Sequence, residues 1–227
     1  VANFSKPAAG QPALLSWDDV ITLFHEFGHT LHGLFASQRY ASLSGTNTPR
    51  DFVEFPSQIF EHWASQPQVF AHYAKQALRD NMLRAATFNK GYDMSELLAA
   101  ALLDMRWHSL STSAIPEDVD GFEQKILQEE HLDLAAVPPR YRSSYFAHIF
   151  GGGYAAGYYS YLWADVLAAD AFSRFEEEGI FNRETGQSFL DNILSRGGSE
   201  EPMELFKRFR GREPQLDAML EHYGIKG

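Results

Sequence analysis

The chain has 227 residues, of which 44% are hydrophobic and 22% charged, values typical of a globular protein with a sizeable core. Its net charge of −11 excludes a general nucleic-acid binder, because nucleic-acid phosphates demand a basic protein surface. The absence of Cys excludes disulfides and thiolate zinc sites, so that His and carboxylate side chains are left as metal ligands.

The first predicted helix spans about residues 17 to 36 and contains the zinc-binding signature His-Glu-x-x-His at residues 25–29. Residues four apart lie one above the other on a helix, so the two imidazoles converge on one metal ion. Glu26 is turned by about 100° from the first His and can reach a water that the metal activates. Ser16 and Asp19 form a capping pair at the helix start. The alternative is a helix that has two His and a Glu by chance.

Helical spacing also dominates the rest of the chain. Residues 1–4 are a short apolar piece that can be the tail of a strand, and residues 42–49 form a polar loop. A helical stretch starts near Asp51, and Pro56 fits it only near the first turn or as a kink. The remaining helical stretches are residues 68–88, 94–110, 121–130, a long one after three glycines to about residue 178, and two short ones at the end. The prediction is a mainly α fold with at most a small β element.

Two His need a third protein ligand, with one coordination position left open for water. The extended metzincin signature requires Gly and His at positions that hold His32 and Phe35 here, so that pattern fails. The remaining option is a Glu from the next helix, and Glu54 lies there between two apolar residues, where an unpaired carboxylate is costly to bury. We predict Glu54 as the ligand and Glu61 or Gln58 as a partner that orients a ligand His. His32 is expected to be a hydrogen-bonded neighbour of the site.

The segment around the zinc signature, residues 24–32, and five further segments form a larger pattern, the five being residues 52–58, 89–92, 145–154, 157–163 and 193–199. Together they resemble the thimet oligopeptidase family of zinc metallopeptidases, over almost the whole chain. The resemblance is nearest to the bacterial dipeptidyl carboxypeptidase branch, and the C-terminal part is nearer to the oligopeptidase A branch. It implies a single helical, zincin-like catalytic domain over residues 1–227. This domain lacks the N-terminal half of the family, as a catalytic-domain fragment or a minimal form.

The resemblance also implies a reaction, the zinc-dependent hydrolysis of peptide bonds, with release of C-terminal dipeptides slightly preferred over internal cleavage. One Zn²⁺ per chain would be held by His25, His29 and Glu54. Glu26 would take the proton of the attacking water and pass it to the leaving amine. The alternative is a metal-binding helical module with little or no activity, because the half that positions the substrate is absent.

A run of aromatic residues surrounds the three consecutive glycines at 151–153, which suggest a flexible loop close to a ligand. Tyr154, Tyr158 and Tyr161 are spaced i, i+4 and i+7, so their phenols are expected on one helical face, an arrangement that a packed face also shows. The resemblance assigns substrate and transition-state contacts to the positions matched by Tyr154 and Tyr161. It assigns a similar role to His148.

The sequence also predicts partners and location. Peptides are the expected substrates, and either Arg140 or Arg142 can meet a peptide's C-terminal carboxylate, although a solvated Arg fits the sequence equally well. No membrane partner is expected, because no stretch approaches the roughly 18 uninterrupted apolar residues of a membrane helix. A homodimer can cover the face that the absent half would leave exposed. The lack of Cys fits a reducing compartment, and a cytoplasmic location is expected.

Overall fold

A computed structural model describes residues 2–225, which form twelve α-helices and contain no strand. The helices are α1 (Trp17–Leu34), α2 (Arg50–Val53), α3 (Phe55–Ala64), α4 (Pro67–Phe70), α5 (Gln76–Ala85), α6 (Lys90–His108), α7 (Val119–Glu129), α8 (Ala147–Phe150), α9 (Ser160–Glu178), α10 (Arg183–Phe189), α11 (Pro202–Arg210) and α12 (Asp217–His222). A π-helical turn, Leu190–Leu194, continues α10. The mainly α fold is confirmed. Residues 2–4 are not in a strand, and Val1 lies outside the described residues.

Three predicted boundaries differ from the structure. Residues 68–88 form α4 and α5, separated by a turn that the Tyr73 hydroxyl ties to α3 by donating to the carbonyl of Ala64. The long helix after the glycines begins only at Ser160, because Ala156 adopts a φ of +52°, which a right-handed helix cannot include. The end of the chain contains three short α-helices and the π-helical turn rather than two helices.

The main core encloses α3, which packs against both α1 and α9. Nearly half of its buried members are aromatic, namely Phe52, Phe55, Phe172, Phe175, Phe189, Phe206 and Phe209. Phe55 shows how they interlock, because its ring meets that of Phe189 edge to face at a centroid distance of 5.8 Å. Burial of these rings fixes the position of α2 and α3 relative to α9.

Helices α1 and α3 meet closely at Gly28, and only glycine permits this contact. A Cβ atom at Gly28 would lie 2.5 Å from the carbonyl oxygen of Pro56 and 2.7 Å from Cα of Ser57. Pro56 occupies the first turn of α3, where its missing N–H costs no helical hydrogen bond, and this is one of the two placements that the sequence allowed. The close approach places the α2–α3 junction beside the signature helix.

The outer face of α1 is apolar and exposed. Leu23, Phe27 and Leu34 lie one or two turns apart on this face, and Leu34 is 72% exposed. A homodimer that covers such a face stays a prediction. Among residues 2–225, no helix has both the length and the apolar character that crossing a bilayer requires.

His62 of α3 is an imidazole packed in an apolar setting. Its ring stacks on Phe172 at a centroid distance of 4.8 Å and lies 4.7 Å from the ring of His222. Burial, assisted by the charge of His222, lowers the pKa of His62 from 6.5 to about 3. Between pH 6.5 and about pH 3, His62 is therefore protonated in the unfolded chain but neutral in the native state. The native state loses stability as the pH falls through this window.

We expect this histidine to reduce the free energy of unfolding by about 2 kcal/mol between pH 6.5 and pH 5, at 1.36 kcal/mol per pH unit. His62→Gln removes the effect, so the stability advantage of the wild type over the variant should shrink by about that amount. Urea unfolding at pH 7 and pH 5, with EDTA present, measures both values. His72→Gln, at an exposed histidine, is the matched control. A wild-type advantage over His62→Gln that is the same at both pH values would contradict the prediction.

Candidate metal centre and active site

The two histidines of α1 face one carboxylate oxygen from the α2–α3 junction. Nε2 of His25 and Nε2 of His29 lie 3.2 and 3.1 Å from Oε2 of Glu54. One ligand atom from each of the three residues lies within 4.8 Å of the others. Within residues 2–225, no other group of three His, Cys, Asp or Glu side chains converges in this way. The structure therefore brings together the three residues that the sequence proposed as ligands.

Glu54 is only 4% exposed, and no Lys or Arg in residues 2–225 pairs with it. Oε2 faces both ligand histidines and accepts a hydrogen bond from Ser57 Oγ at 3.1 Å, whereas Oε1 accepts one from the Tyr154 hydroxyl. Burial opposes ionisation, but the contacts with His25, His29 and Tyr154 outweigh it and hold the pKa of Glu54 well below its usual range. A buried negative charge of this kind needs a compensating positive charge, which a protonated imidazole or a bound metal ion can supply.

The ring of His25 is oriented by a second carboxylate. Its Nδ1 lies 2.6 Å from Oε1 of Glu61, which leaves Nε2 facing Glu54. Although burial works against protonation, the two carboxylates raise the pKa of His25 to about 9. The structure thus gives Glu61 the orienting position that the sequence left open between it and Gln58. Gln58 instead donates from Nε2 to the carbonyl oxygen of Tyr161 at 3.2 Å and ties α3 to α9.

The donor set fits a metal ion by its chemistry. Two imidazole nitrogens and one carboxylate oxygen form the set that holds catalytic zinc in thermolysin-like sites, with a further coordination position open. Both histidines come from one helix face, and no Lys or Arg among residues 2–225 pairs with the carboxylate. His25, His29 and Glu54 are therefore the residues that could hold a divalent cation.

His32 is separate from this group. It is fully buried, and neither ring nitrogen has a hydrogen-bond partner in the described part of the chain. Burial lowers its pKa to about 4, so the imidazole is neutral. The expectation of a hydrogen-bonded neighbour is therefore wrong, because the ring lies among groups that offer it no donor or acceptor.

Glu26 follows the first ligand histidine on α1 and is half-buried. Its carboxylate makes no hydrogen bond or ion pair with any residue from 2 to 225. A carboxylate without a committed partner, next to a metal ligand, is free to accept a proton.

Two tyrosines and a histidine form a ring cluster that reaches Glu54 through Tyr154. Tyr154 donates its hydroxyl hydrogen to Oε1 of Glu54 and stacks on Tyr161, with ring centroids 5.2 Å apart and planes at 15°. The ring of His148 lies 6.1 Å from that of Tyr154 and 6.4 Å from that of Tyr161. Burial raises the pKa of both tyrosines, so both phenols keep their protons and can donate.

The spacing of the three tyrosines predicted one shared helical face, and this prediction is wrong. Residues 155–159 form turns, and α9 starts at Ser160, so Tyr154 and Tyr161 meet through the fold of this turn. Tyr158 is 3% exposed and packs on Phe146 at a centroid distance of 4.8 Å, and burial raises its pKa to about 12. Tyr158 is a core residue.

Both candidate carboxylate-binding arginines are already paired. Arg140 lies 3.0 Å from Glu96, and Arg142 pairs with Glu123 and lies 3.5 Å from Asp120. Sequence reasoning missed a third arginine, Arg50, which lies nearer to the candidate site residues. Its guanidinium lies 4.6 Å from the centroid of the Tyr154 ring. It has no carboxylate partner in the described residues. The sequence feature that could have identified Arg50 is its position four residues, about one helical turn, before Glu54.

Comparison of the sequence with known proteins identifies the family of this chain. The sequence profile described as peptidase family M3 matches residues 1–225. The chain belongs to peptidase family M3. Members of this family are metallopeptidases, and the family predicted from the sequence motifs is confirmed.

The relatives of this M3 chain include bacterial and plant peptidases. Dipeptidyl carboxypeptidase of Salmonella typhimurium is 63% identical over 234 residues, which cover 99% of this chain and 34% of the relative. Oligopeptidase A of Escherichia coli is 55% identical over 238 residues, with the same coverage. Organellar oligopeptidase A of Arabidopsis thaliana is 36% identical over 239 residues, 99% of this chain and 30% of the relative. The M3 chain spans about a third of the length of these relatives.

Proposed function

We propose that residues 1–227 form a single helical catalytic domain that hydrolyses peptide bonds with one zinc ion. The observation that carries the proposal is the double role of Glu54. One of its oxygens faces both histidines of the signature, and the other accepts the hydroxyl of Tyr154. The candidate metal centre and the hydroxyl donor of Tyr154 therefore share one buried residue.

Zinc is the ion that the donor set favours. Imidazole nitrogens with a single carboxylate suit zinc better than calcium or magnesium, which prefer oxygen ligands alone. A zinc ion bound by His25, His29 and Glu54 supplies a Lewis acid that polarises a carbonyl oxygen and acidifies water. Glu61 holds His25 in the tautomer that presents Nε2 to the ion.

Glu26 is the proposed general base. It lies on α1 between the two ligand histidines and has no hydrogen-bond or ion-pair partner within residues 2–225. It takes a proton from the attacking water and gives it to the leaving amine, which makes one group both base and acid.

Tyr154, Tyr161 and His148 are proposed to contact the substrate and the transition state. The two phenols stay protonated because burial raises their pKa values, and they lie beside the metal ligand Glu54. A donor aimed at the developing oxyanion is typically worth about 10²–10³ in rate. Tyr154 performs this task by turning its hydroxyl from Glu54 to the substrate oxygen.

Release of C-terminal dipeptides is the proposed preference among peptide cleavages. It rests on the 63% identity to a protein named dipeptidyl carboxypeptidase and on a guanidinium near the site that has no carboxylate partner among residues 2–225. Such a preference requires a cation that binds the peptide's terminal carboxylate. Arg50 can supply it beside Tyr154, whereas Arg140 and Arg142 are held by their own carboxylate partners.

A pair of fluorogenic peptides tests both the zinc-dependent cleavage of peptides and the preference for release of C-terminal dipeptides. The zinc-loaded chain is incubated with one sequence as a free C-terminal acid and as an amide, with and without chelator. We expect chelator-sensitive cleavage, faster for the free acid. Equal cleavage of both forms would reject the preference for dipeptide release but would support the proposed peptidase activity.

A metal-binding module without activity is the second candidate function. It is favoured by one observation, the coverage of only about a third of each relative's length. One zinc per chain without chelator-sensitive cleavage of either peptide would support the module and reject the peptidase.

A further inference from the structure

Asp104 is a fully buried carboxylate on α6, outside the metal centre. Its Oδ1 accepts a hydrogen bond from the backbone N–H of Ala156 at 2.9 Å, and its Oδ2 accepts one from Tyr158 N at 2.8 Å. Nδ1 of His108, one turn later on α6, lies 2.7 Å from Oδ1. Both oxygens of a buried side chain are therefore committed to a turn more than 50 residues away in sequence.

The turn that Asp104 holds carries Tyr154 at one end and leads into α9 at the other. Ala156 adopts a φ of +52°, a left-handed conformation that residues with a side chain rarely adopt. The carbonyl of Tyr154 accepts the N–H of Gly157 at 2.9 Å across this turn. The backbone path between Tyr154 and Tyr161 thus contains one unfavourable residue, and its amide is bound by a carboxylate.

We propose that Asp104 is a positioning residue, which holds the 154–158 turn so that Tyr154 and Tyr161 stack beside Glu54. Two charge-assisted hydrogen bonds to consecutive parts of one turn fix it more firmly than neutral bonds would. Without them, Ala156 relaxes toward a common backbone conformation and moves the Tyr154 ring away from Tyr161 and Glu54. The catalytic consequence rests on the proposed role of the two tyrosines in peptide hydrolysis.

Asp104→Asn tests this inference, because an amide can accept only one of the two N–H groups. We expect kcat to fall by about 10², the typical cost of a misplacement of about 1 Å, with KM and zinc content little changed. Ala156→Gly in the same chain lowers the cost of the left-handed conformation and should restore about 10-fold of the loss. Asp170→Asn is the matched control, since Asp170 is also fully buried and accepts the N–H of Gln215 at 2.7 Å. That control should lose stability but keep kcat.

Hydrogen exchange supplies a readout that does not need activity. The amides of Ala156 and Tyr158 should exchange faster in Asp104→Asn, while those of α9 beyond its first turn stay protected. Unchanged exchange at both amides, or an unchanged kcat, would overturn the inference. A wild type without peptidase activity but with faster exchange in the variant would reject the proposed function and retain the role of Asp104 in holding the turn.

A second variant keeps the test open if Asp104→Asn does not fold. Ala156 is exposed, and valine at this position strains the same turn without touching the buried carboxylate. Ala156→Val should also lower kcat by about 10², with zinc still bound. A fully active Ala156→Val enzyme would show that the turn does not control the tyrosines.

Discussion

Replacement of Glu26 by Gln is expected to lower kcat by about 10²–10⁴, the usual contribution of a positioned general base. The amide has nearly the same shape as the carboxylate but cannot take a proton from water. Because Glu26 is not among the three converging ligand residues, the variant should still bind one zinc per chain. Rates with the fluorogenic peptide and zinc content from the same protein sample measure both quantities.

Glu117→Gln provides the control for this experiment, because Glu117 is exposed and lies in the connection between α6 and α7. It should have wild-type kcat and wild-type zinc content. If Glu26→Gln retained full turnover, the general base would have to be another residue. If it lost zinc together with turnover, Glu26 would be a ligand rather than a base.

Removal of the Glu54 side chain is expected to have the largest effect on metal binding. Glu54→Ala should weaken zinc binding by more than about 100-fold, the upper end of what loss of an outer partner of a ligand usually costs. The reason is geometric, since a single oxygen, Oε2, faces the Nε2 atoms of both His25 and His29. Competition with a chromogenic chelator of known zinc affinity measures the change.

A change at Glu61 is expected to weaken zinc binding less than the removal of the Glu54 side chain. It touches the distal nitrogen of His25 and no other ligand, so Glu61→Gln should weaken zinc binding by only about 10–100-fold. Glu123→Gln is a control at a carboxylate that is as buried as Glu54 but pairs with Arg142 and the N–H of Ser143. It should retain the affinity of the wild type. Tight zinc binding by Glu54→Ala would place the third ligand elsewhere.

The signature helix was predictable because its determinants are local. The capping pair of Ser16 and Asp19 is present, with reciprocal hydrogen bonds of 3.0 and 3.1 Å between side chain and backbone. Helix α1 runs from Trp17 to Leu34, two residues short of the predicted end. Helical periodicity then places His25 and His29 side by side, whatever lies around them.

The third candidate ligand, Glu54, was predictable for a different reason. A Glu between apolar neighbours needs a counter-charge when it is buried, and the sequence contained one next to the signature helix that met this condition. The contact that brings it to the metal centre was less visible. Gly28 admits the backbone of Pro56 and Ser57 against α1, and a single Cβ atom there would separate the two helices.

The tyrosine pair shows where periodicity misleads. A spacing of i, i+4 and i+7 predicted one helical face, but Ala156 breaks the helix before Ser160, and Tyr158 turns into the core. Tyr154 and Tyr161 still meet, through a turn whose amides bond to Asp104. No local pattern links a residue on α6 to a turn beyond α8, so neither Asp104 nor the turn could be found from sequence spacing.

The sequence alone determined the helical class, the signature helix with its cap, and the chemical type of the candidate ligands, because propensity, periodicity and side-chain chemistry act over a few residues. Tertiary structure decided which carboxylate orients His25. Within residues 2–225 it also decided why His32 has no polar partner and which guanidinium lacks a carboxylate partner beside Tyr154. These outcomes depend on the distance between helices that are far apart in the chain. Packing of α1, α3 and α9 around one aromatic core sets those distances.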